Sequence, residues 1–422
     1  MGLRLAGVLA SGFWISCNYE REGRRWIAQV LEQPGAEART LARAQALRGL
    51  GLLMHVQGDC PEAQRVLEES VSIGREIGAA ATFDLAGALH ILAYVALLQG
   101  NPAYARELAE ESLRLFQELG VAWGVGLALH HLGRARLELG DPGAARSLLE
   151  ESAQQFRVAG DSNLLRLAMN ALGLVALHQE DYTSAYTTFE EVLALPVARG
   201  ETGYKKFTAD ALAHLGTVAL RRGEYHRSLS YYQQSLVLNQ EQGYQEGLIE
   251  DLAGLAEMAS LLGQPERAAR LLGAVEALRE ATGIRLSPLR QAEYERTLEG
   301  IRAQGDEAAF AAAWQEGRAT PLGHLVAQAI ETNAASPTEP KPGEASQEEA
   351  RLDRPASSSH ELTAREVGVL RLLAQGLTSA QIAEQLVIGL VTVNSHVRSI
   401  YSKLGVTSRA TATRYALEQN LL

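Results

Sequence analysis

A chain of 422 residues is too long for one core and predicts two or three domains, and a hydrophobic content of 46% predicts that it folds. The formal net charge of −11 excludes a surface that is basic throughout, so contact with phosphate has to be confined to one region. Only Cys17 and Cys60 are present, which excludes a disulfide framework and a zinc site and fits a reducing cytoplasm.

The start, MGLRLAGVLASGFWISC, places Arg4 before an apolar stretch that ends in Cys17, the outline of a leader peptide. The stretch lacks a leucine-rich core, and the same residues fit the repeat that follows, so no leader and no membrane segment is expected.

From there a period of about 40 residues governs the chain. Gly58, Gly100, Gly140, Glu180, Gly223 and Gly263 mark turns at intervals of 42, 40, 40, 43 and 40. Seven residues before each turn stands a small residue (Gly51, Ala93, Gly133, Gly173, Gly216, Ala256), and five after it another (Ala63, Ala105, Ala145, Ala185, Ser228, Ala268). A constant gap of twelve between two small positions is what close packing of antiparallel helices requires. Asn18, with Ser11 and Gly23, extends the frame backward into a degenerate first unit, making seven. The second helices carry EES at 68–70, 110–112 and 150–152, EEV at 190–192 and QQS at 233–235, read here as solvated faces. The small-residue pattern resembles the tetratricopeptide repeat, with helices lengthened by a turn or two. That resemblance implies a right-handed superhelix with a concave groove for a protein segment or small-molecule effector.

Residues 284–331 leave the frame but keep helical periodicity in AEYERTLEGIRAQ and EAAFAAAWQEGRA, as a helical closing segment. Residues 332–359 contain four prolines and three consecutive serines without an aromatic residue, the composition of a disordered linker spanning about 30 Å.

Residues 360–422 predict four short helices. Thr363 with Glu366 is a capping box for a helix that presents Val367, Leu370, Leu373 and Ala374 on one side and stops at Gly376. Thr378 with Gln381 repeats the signature for a second helix with Ile382, Ala383 and Leu386 inward, ending before Gly389. A third helix, 391–404, buries Val393, Val397, Ile400 and Leu404 and turns Val391, Ser395, Arg398 and Ser402 outward, flanked by Asn394. Ser408 caps the fourth, in which Ala412, Tyr415 and Ala416 pack on this unit or on a second copy. A small, polar and basic outer face fits a major groove about 12 Å wide, where Arg reads guanine and Asn reads adenine. Residues 361–422 hold six Lys and Arg against four Asp and Glu, a net of +2 that leaves −13 for the remainder. DNA contact therefore belongs to this tail.

The segments LTAREVGVLRLLAQG, IAEQL and TVNSHVRSIYSKLGVTSR resemble the DNA-binding domain of LuxR-type transcriptional regulators. The resemblance implies double-stranded DNA as partner, dimerisation largely through the last helix, base contacts from Asn394, Ser395 and Arg398, and phosphate contacts from Thr392, Lys403 and Arg409. Gly389 and Leu390 stand where the family usually has Ser and then an acidic residue, which weakens the cap of the recognition helix. Asn394 replaces a common Lys and removes one positive charge.

No GxxxxGK[ST] occurs; GETGYKKF at 200–207 lacks the spacing and is expected in a repeat loop. Large LuxR-type regulators often place a nucleotide-binding domain before helical repeats, so the chain is expected to be a shortened regulator or the C-terminal part of a longer ancestor. His130, His131, His178, His214 and His226 scatter over the repeat frame without HExxH, as packing or surface histidines rather than metal ligands. No catalytic set and no cofactor is expected. The expected fold is all-α: a tetratricopeptide-like solenoid over 1–283, the closing segment 284–331, the linker 332–359 and a four-helix LuxR-type helix-turn-helix over 360–422. The expected function is a cytoplasmic regulator that binds DNA as a homodimer; the alternative is a repeat-based interaction adaptor with a C-terminal dimerisation bundle.

Overall fold

The computed structural model describes residues 2–9, 19–196, 204–286, 288–304, 306–331 and 364–374, with Leu377, Gln381, Ile382, Gln385, Val397 and Ile400. Two compact units, Met1–Pro337 and Thr338–Leu422, are described separately. Every regular element among the described residues is helical.

The first unit is a stack of antiparallel helix pairs. After α1 (Gly2–Leu9) and α2 (Glu20–Leu31) come α3 (Leu41–Val56) with α4 (Cys60–Ile77), α5 (Thr82–Leu98) with α6 (Pro102–Leu119), and α7 (Ala122–Glu138) with α8 (Pro142–Ala159). Then follow α9 (Ser162–His178) with α10 (Tyr182–Ala194), α11 (Tyr204–Arg221) with α12 (Tyr225–Gln242), and α13 (Gln245–Leu261) with α14 (Pro265–Thr282). The closing segment forms α15 (Pro288–Gln304), α16 (Glu307–Ala319) and α17 (Leu322–Glu331).

Each pair is made the same way. The turn residue is left-handed, with φ between 68° and 81° at Gly58, Gly100, Gly140, Gly223 and Gly263, and 58° at Glu180, the non-glycine that accepts this strain. An Asp or Asn follows at several turns and caps the next helix, as when Asp141 Oδ1 accepts from the Ala144 N–H at 3.0 Å. The glycine seven residues earlier is required because a side chain of the second helix lies across it. A Cβ on Gly51 would come within 2.5 Å of Leu67, one on Gly133 within 2.7 Å of Leu149, and one on Gly173 would strike the Phe189 ring.

The EES triplets differ from their reading as solvated faces. Ser70, Ser112, Ser152 and Ser235 are buried, and each donates its hydroxyl to a carbonyl 26 residues earlier on the preceding helix: Ala44 (2.8 Å), Ala86 (3.0 Å), Gly126 (2.7 Å) and Ala209 (3.0 Å). A buried hydroxyl has to find an acceptor, and this one recurs because the frame recurs. The acidic neighbours lie nearer the surface and pair along the stack, Glu69 with Arg43 and Glu111 with Arg75.

Helix α5 is apolar all round because it is buried between neighbours on both sides. Together with α4 it forms Cys60–Leu98, the one stretch among the described residues long and apolar enough to cross a membrane, and 72% of that window is buried in the array.

The array then returns on itself. The Arg285 N–H donates to the Leu98 carbonyl at 2.6 Å, and a Cβ added to Gly100 would stand 3.0 Å from the Leu286 carbonyl. A Cβ on Gly283 would meet Pro61, and Tyr94 reaches Glu246. An open concave groove was expected; the described residues form a lumen whose wall includes Ile284, Arg285, Leu286 and Arg290. Behind it α16 packs on α14 with backbone touching backbone, Gly317 against Arg270 and Gly273 against Trp314. No such contact was expected from the sequence, because neither glycine belongs to the repeat frame.

In the second unit α18 (Ala364–Ala374) buries Val369, Leu370 and Leu373, and Ile382 and Ile400 are buried with 0% exposure. The Leu377 N–H donates to the Leu372 carbonyl at 3.2 Å as the chain leaves the helix.

Candidate functional site

The first helices of the pairs turn one stripe inward, at positions six, ten, thirteen and seventeen residues before each turn, a spacing of three and four that keeps one helix face. These positions bring Tyr94, His130, Arg134, Asn170, Asp210 and Glu246 to the wall of one cavity of about 120 Å³. Lys206, Glu138, Glu250, Arg285 and Arg290 add to the charged lining. Lys206 belongs to the GETGYKKF stretch expected in a loop; it lies in the first turn of α11 instead, and its ammonium points into this lumen.

Part of this lining is internally satisfied. Lys206 Nζ donates to the Tyr94 hydroxyl at 3.1 Å and stands 3.6 Å from Glu246, while the Tyr94 hydroxyl donates to Glu246 Oε2 at 2.6 Å. Against burial, which lowers it, Tyr94 and Glu246 raise the Lys206 ammonium above its ordinary value; against burial, which raises it, Lys206 and Arg134 hold the Glu246 carboxyl below its own. Arg290 is clamped by Glu250 at 2.8 Å and Glu293 at 3.0 Å.

The rest is not. Among the described residues no hydrogen bond or close ion pair reaches the Arg134 guanidinium, whose Cζ lies 6.0 Å from the centre of the Tyr94 ring. Asp210 has no hydrogen-bonding partner either, and burial, with Glu246 and Glu250 nearby, pushes its carboxyl up to about 7. Both ring nitrogens of His130, Nδ1 of His214 and Oδ1 of Asn170 are buried and unpartnered, although Asn170 Nδ2 donates to the Phe207 carbonyl at 2.8 Å.

The histidines pack as the sequence suggested, with His226 at the surface; part of their scatter resolves, since His90 and His130 both stand ten residues before a turn and His131 and His214 nine before, while His178 and His226 share no register. His90 stacks on His131 at 5.8 Å, His131 on Tyr94 at 5.5 Å, and His55 meets Tyr94 edge-on at 4.8 Å. Burial lowers the imidazoles of His55 and His178 to about 4 and of His90 to about 3, with His130, His131 and His214 well below the ordinary value, so all stay neutral at pH 7. No group of three His, Cys, Asp or Glu among the described residues is placed to hold a metal ion. Cys60 is buried and free, its thiol pushed up to about 12 by burial.

The six residues expected to touch DNA, Thr392, Asn394, Ser395, Arg398, Lys403 and Arg409, lie outside the described residues. What is described of their module is its interior: Leu370, Leu373, Ile382 and Ile400 are buried as the helical periodicity predicts, and Val369 joins them.

Comparison with known proteins places these two parts. Residues 360–416 match the family "Bacterial regulatory proteins, luxR family". Residues 44–69, 86–111, 124–196 and 208–241 match tetratricopeptide repeats. A protein of Mycobacterium tuberculosis named as an HTH-type transcriptional regulator is 30% identical over 200 residues, which are 47% of this chain and 21% of that protein; the chain thus spans about a fifth of the length of such relatives. The nitrate/nitrite response regulator protein homolog of Haemophilus influenzae is 50% identical over 68 residues, 16% of this chain and 31% of that one. Among solved structures, the apo form of the quorum sensor NprR from B. thuringiensis is similar to 78% of this chain over 98% of its own, with 13% identity and a TM-score of 0.46.

Proposed function

We propose that this chain, which joins tetratricopeptide repeats to a C-terminal luxR-family segment, is a sequence-specific DNA-binding transcriptional regulator whose repeat lumen takes an effector. The observation that carries the reading is the family match over 360–416, on a segment whose Leu370, Leu373, Ile382 and Ile400 form the interior a helix-turn-helix needs. In this reading 1–283 are repeats, 284–331 close them, 332–359 link, and 360–422 bind DNA. Asn394, Ser395 and Arg398 touch base edges, Thr392, Lys403 and Arg409 touch phosphates, and two copies of the chain bind an inverted repeat in the cytoplasm.

The effector part rests on the lumen: a cavity within the array, lined by polar groups that the chain itself leaves unpaired, is an expensive arrangement unless something binds there. The signal would act by changing how readily two tethered DNA-binding units pair.

Selection of full-length protein against random duplex DNA tests the reading. Enrichment of an inverted repeat, with affinity falling steeply as salt rises, is the expected result. Arg398→Ala should cost about 1–3 kcal/mol at one base position, and Lys403→Ala should weaken all sequences alike. A protein that retains no duplex at low salt is not a DNA-binding regulator.

A further inference from the structure

The lumen supplies more than a place for an effector. Its charges differ in how far the chain itself satisfies them. Lys206, Glu246 and Tyr94 satisfy one another, and Arg290 is held between Glu250 and Glu293. Arg285 and Glu138 line the cavity as well; what remains includes the Arg134 guanidinium and the Asp210 carboxyl, on the inward stripes of α7 and α11, each without a hydrogen bond or close ion pair among the described residues. Between them α9 contributes Asn170, 5% exposed, whose unpartnered Oδ1 accepts, and α7 contributes His130, 1% exposed, with a neutral ring able to donate from one nitrogen and accept at the other.

A buried acceptor without a donor costs stability, and the Arg134 guanidinium feels Glu246 through space but donates to no carboxylate among the described residues, so the two at one wall point to a ligand that would satisfy both. Arg134 presents a fork that matches a carboxylate bidentately. Asp210, kept from full ionisation by burial and by two neighbouring glutamates, gains most from a cationic N–H group brought beside it. An anionic ligand alone would leave Asp210 unanswered and face Glu246 and Glu250; a cationic one alone would meet Arg134 and Lys206.

We propose that the lumen binds a small zwitterion carrying an α-carboxylate and an ammonium, with the carboxylate on Arg134 and the ammonium on Asp210 and Asn170 Oδ1. The inference rests on the reading of the lumen as an effector site. The shared chemistry belongs to free amino acids and to the two ends of a short peptide.

The test uses full-length protein and isothermal titration calorimetry with each of the twenty amino acids and with trialanine, beside N-acetyl-trialanine and trialaninamide, which lack one charge each. Saturable binding of a zwitterion is expected; if an amino acid binds and trialanine does not, the source is the free amino acid, and the reverse assigns a peptide. Removing either charge from the ligand should weaken binding roughly 10-fold or more, as should Arg134→Gln, whose fold is checked by its far-ultraviolet dichroism and melting curve. The blocked peptides carry the same test in unaltered protein should that variant not fold. Absence of heat with every zwitterion, or blocked and free ligands binding equally, overturns the proposal. Binding without any change in DNA affinity would leave this site standing and remove its assigned role in regulation.

Discussion

At the joints between helices the array repeats one arrangement, whereas along its lumen the residues change from unit to unit. Ser70, Ser112, Ser152 and Ser235 make the same bond over the same 26-residue separation. Six residues before successive turns, on the inner stripe, stand Tyr94, Arg134 and Leu174, and thirteen before stand Leu167, Asp210 and Glu250. The joint is fixed by contact distances that every pair must meet, so its chemistry cannot vary. The lumen has no such contact common to every pair, so its side chains can differ, some answering one another, as Lys206, Tyr94 and Glu246 do, and others left without a partner among the described residues.

Substitutions at the packing contacts should therefore lower stability, and changes in the lumen should act through its charges. The largest effect is expected from Gly317→Val, which drives a branched side chain into the Arg270 backbone and separates α16 from α14. A loss of about 3 kcal/mol, read from urea unfolding, is the expectation; an unchanged midpoint would mean that the closing segment does not hold the repeats.

Next comes acid. The imidazoles of His55, His90 and His178 lie at about 4, 3 and 4 in the folded chain, below their unfolded value, so as pH falls the unfolded state takes up protons first. Their contribution is complete above about pH 6.5 and is lost progressively below it, on the order of 1–2 kcal/mol for each by about pH 5. Asp210, raised to about 7, works in the opposite sense and recovers a part as it protonates. A melting temperature that stays level from neutral pH down to about pH 5 would place these rings in water.

Ser152→Ala removes one joint bond and should cost about 1 kcal/mol, because the Gly126 carbonyl keeps its helical partner. A comparable loss from Ser70→Ala and Ser112→Ala would establish that the joints are equivalent; unequal losses would break the comparison at its stable side. The smallest effect is a gain. Glu180 holds φ at 58° where the other turns have glycine, and Glu180→Gly should stabilise by about 0.5–1 kcal/mol, measured in the same urea series.

How much of this could be read from the sequence follows from the same division. The turn glycines, the small residues flanking them and the buried spine of α18 were legible, because each is demanded by neighbours within about forty residues. The role of the third residue in EES was not, since Ser is compatible with both a wet face and a buried bond until its partner on the preceding helix is known. Arg134, Asp210 and His130 were illegible as a site, because what makes them one is a return of the chain that puts Arg285 beside Leu98. Counting positions back from the turns would have shown that His90 and His130 share a register, and that was the available signal. The residues expected on DNA rest on resemblance and periodicity alone.

The bond between Arg285 and Leu98 also changes how the array should come apart. An open stack of repeats behaves as a line, in which the last units fray first and a perturbation has to travel through every neighbour. Here the sixth turn's helix pair is a neighbour of the first full one, Gly283 against Pro61, and of the second, Glu246 against Tyr94, as well as through the units between. Such a stack has no loose end on that side. It should melt as a single cooperative body, and a change felt at Glu246 reaches Tyr94 in one step.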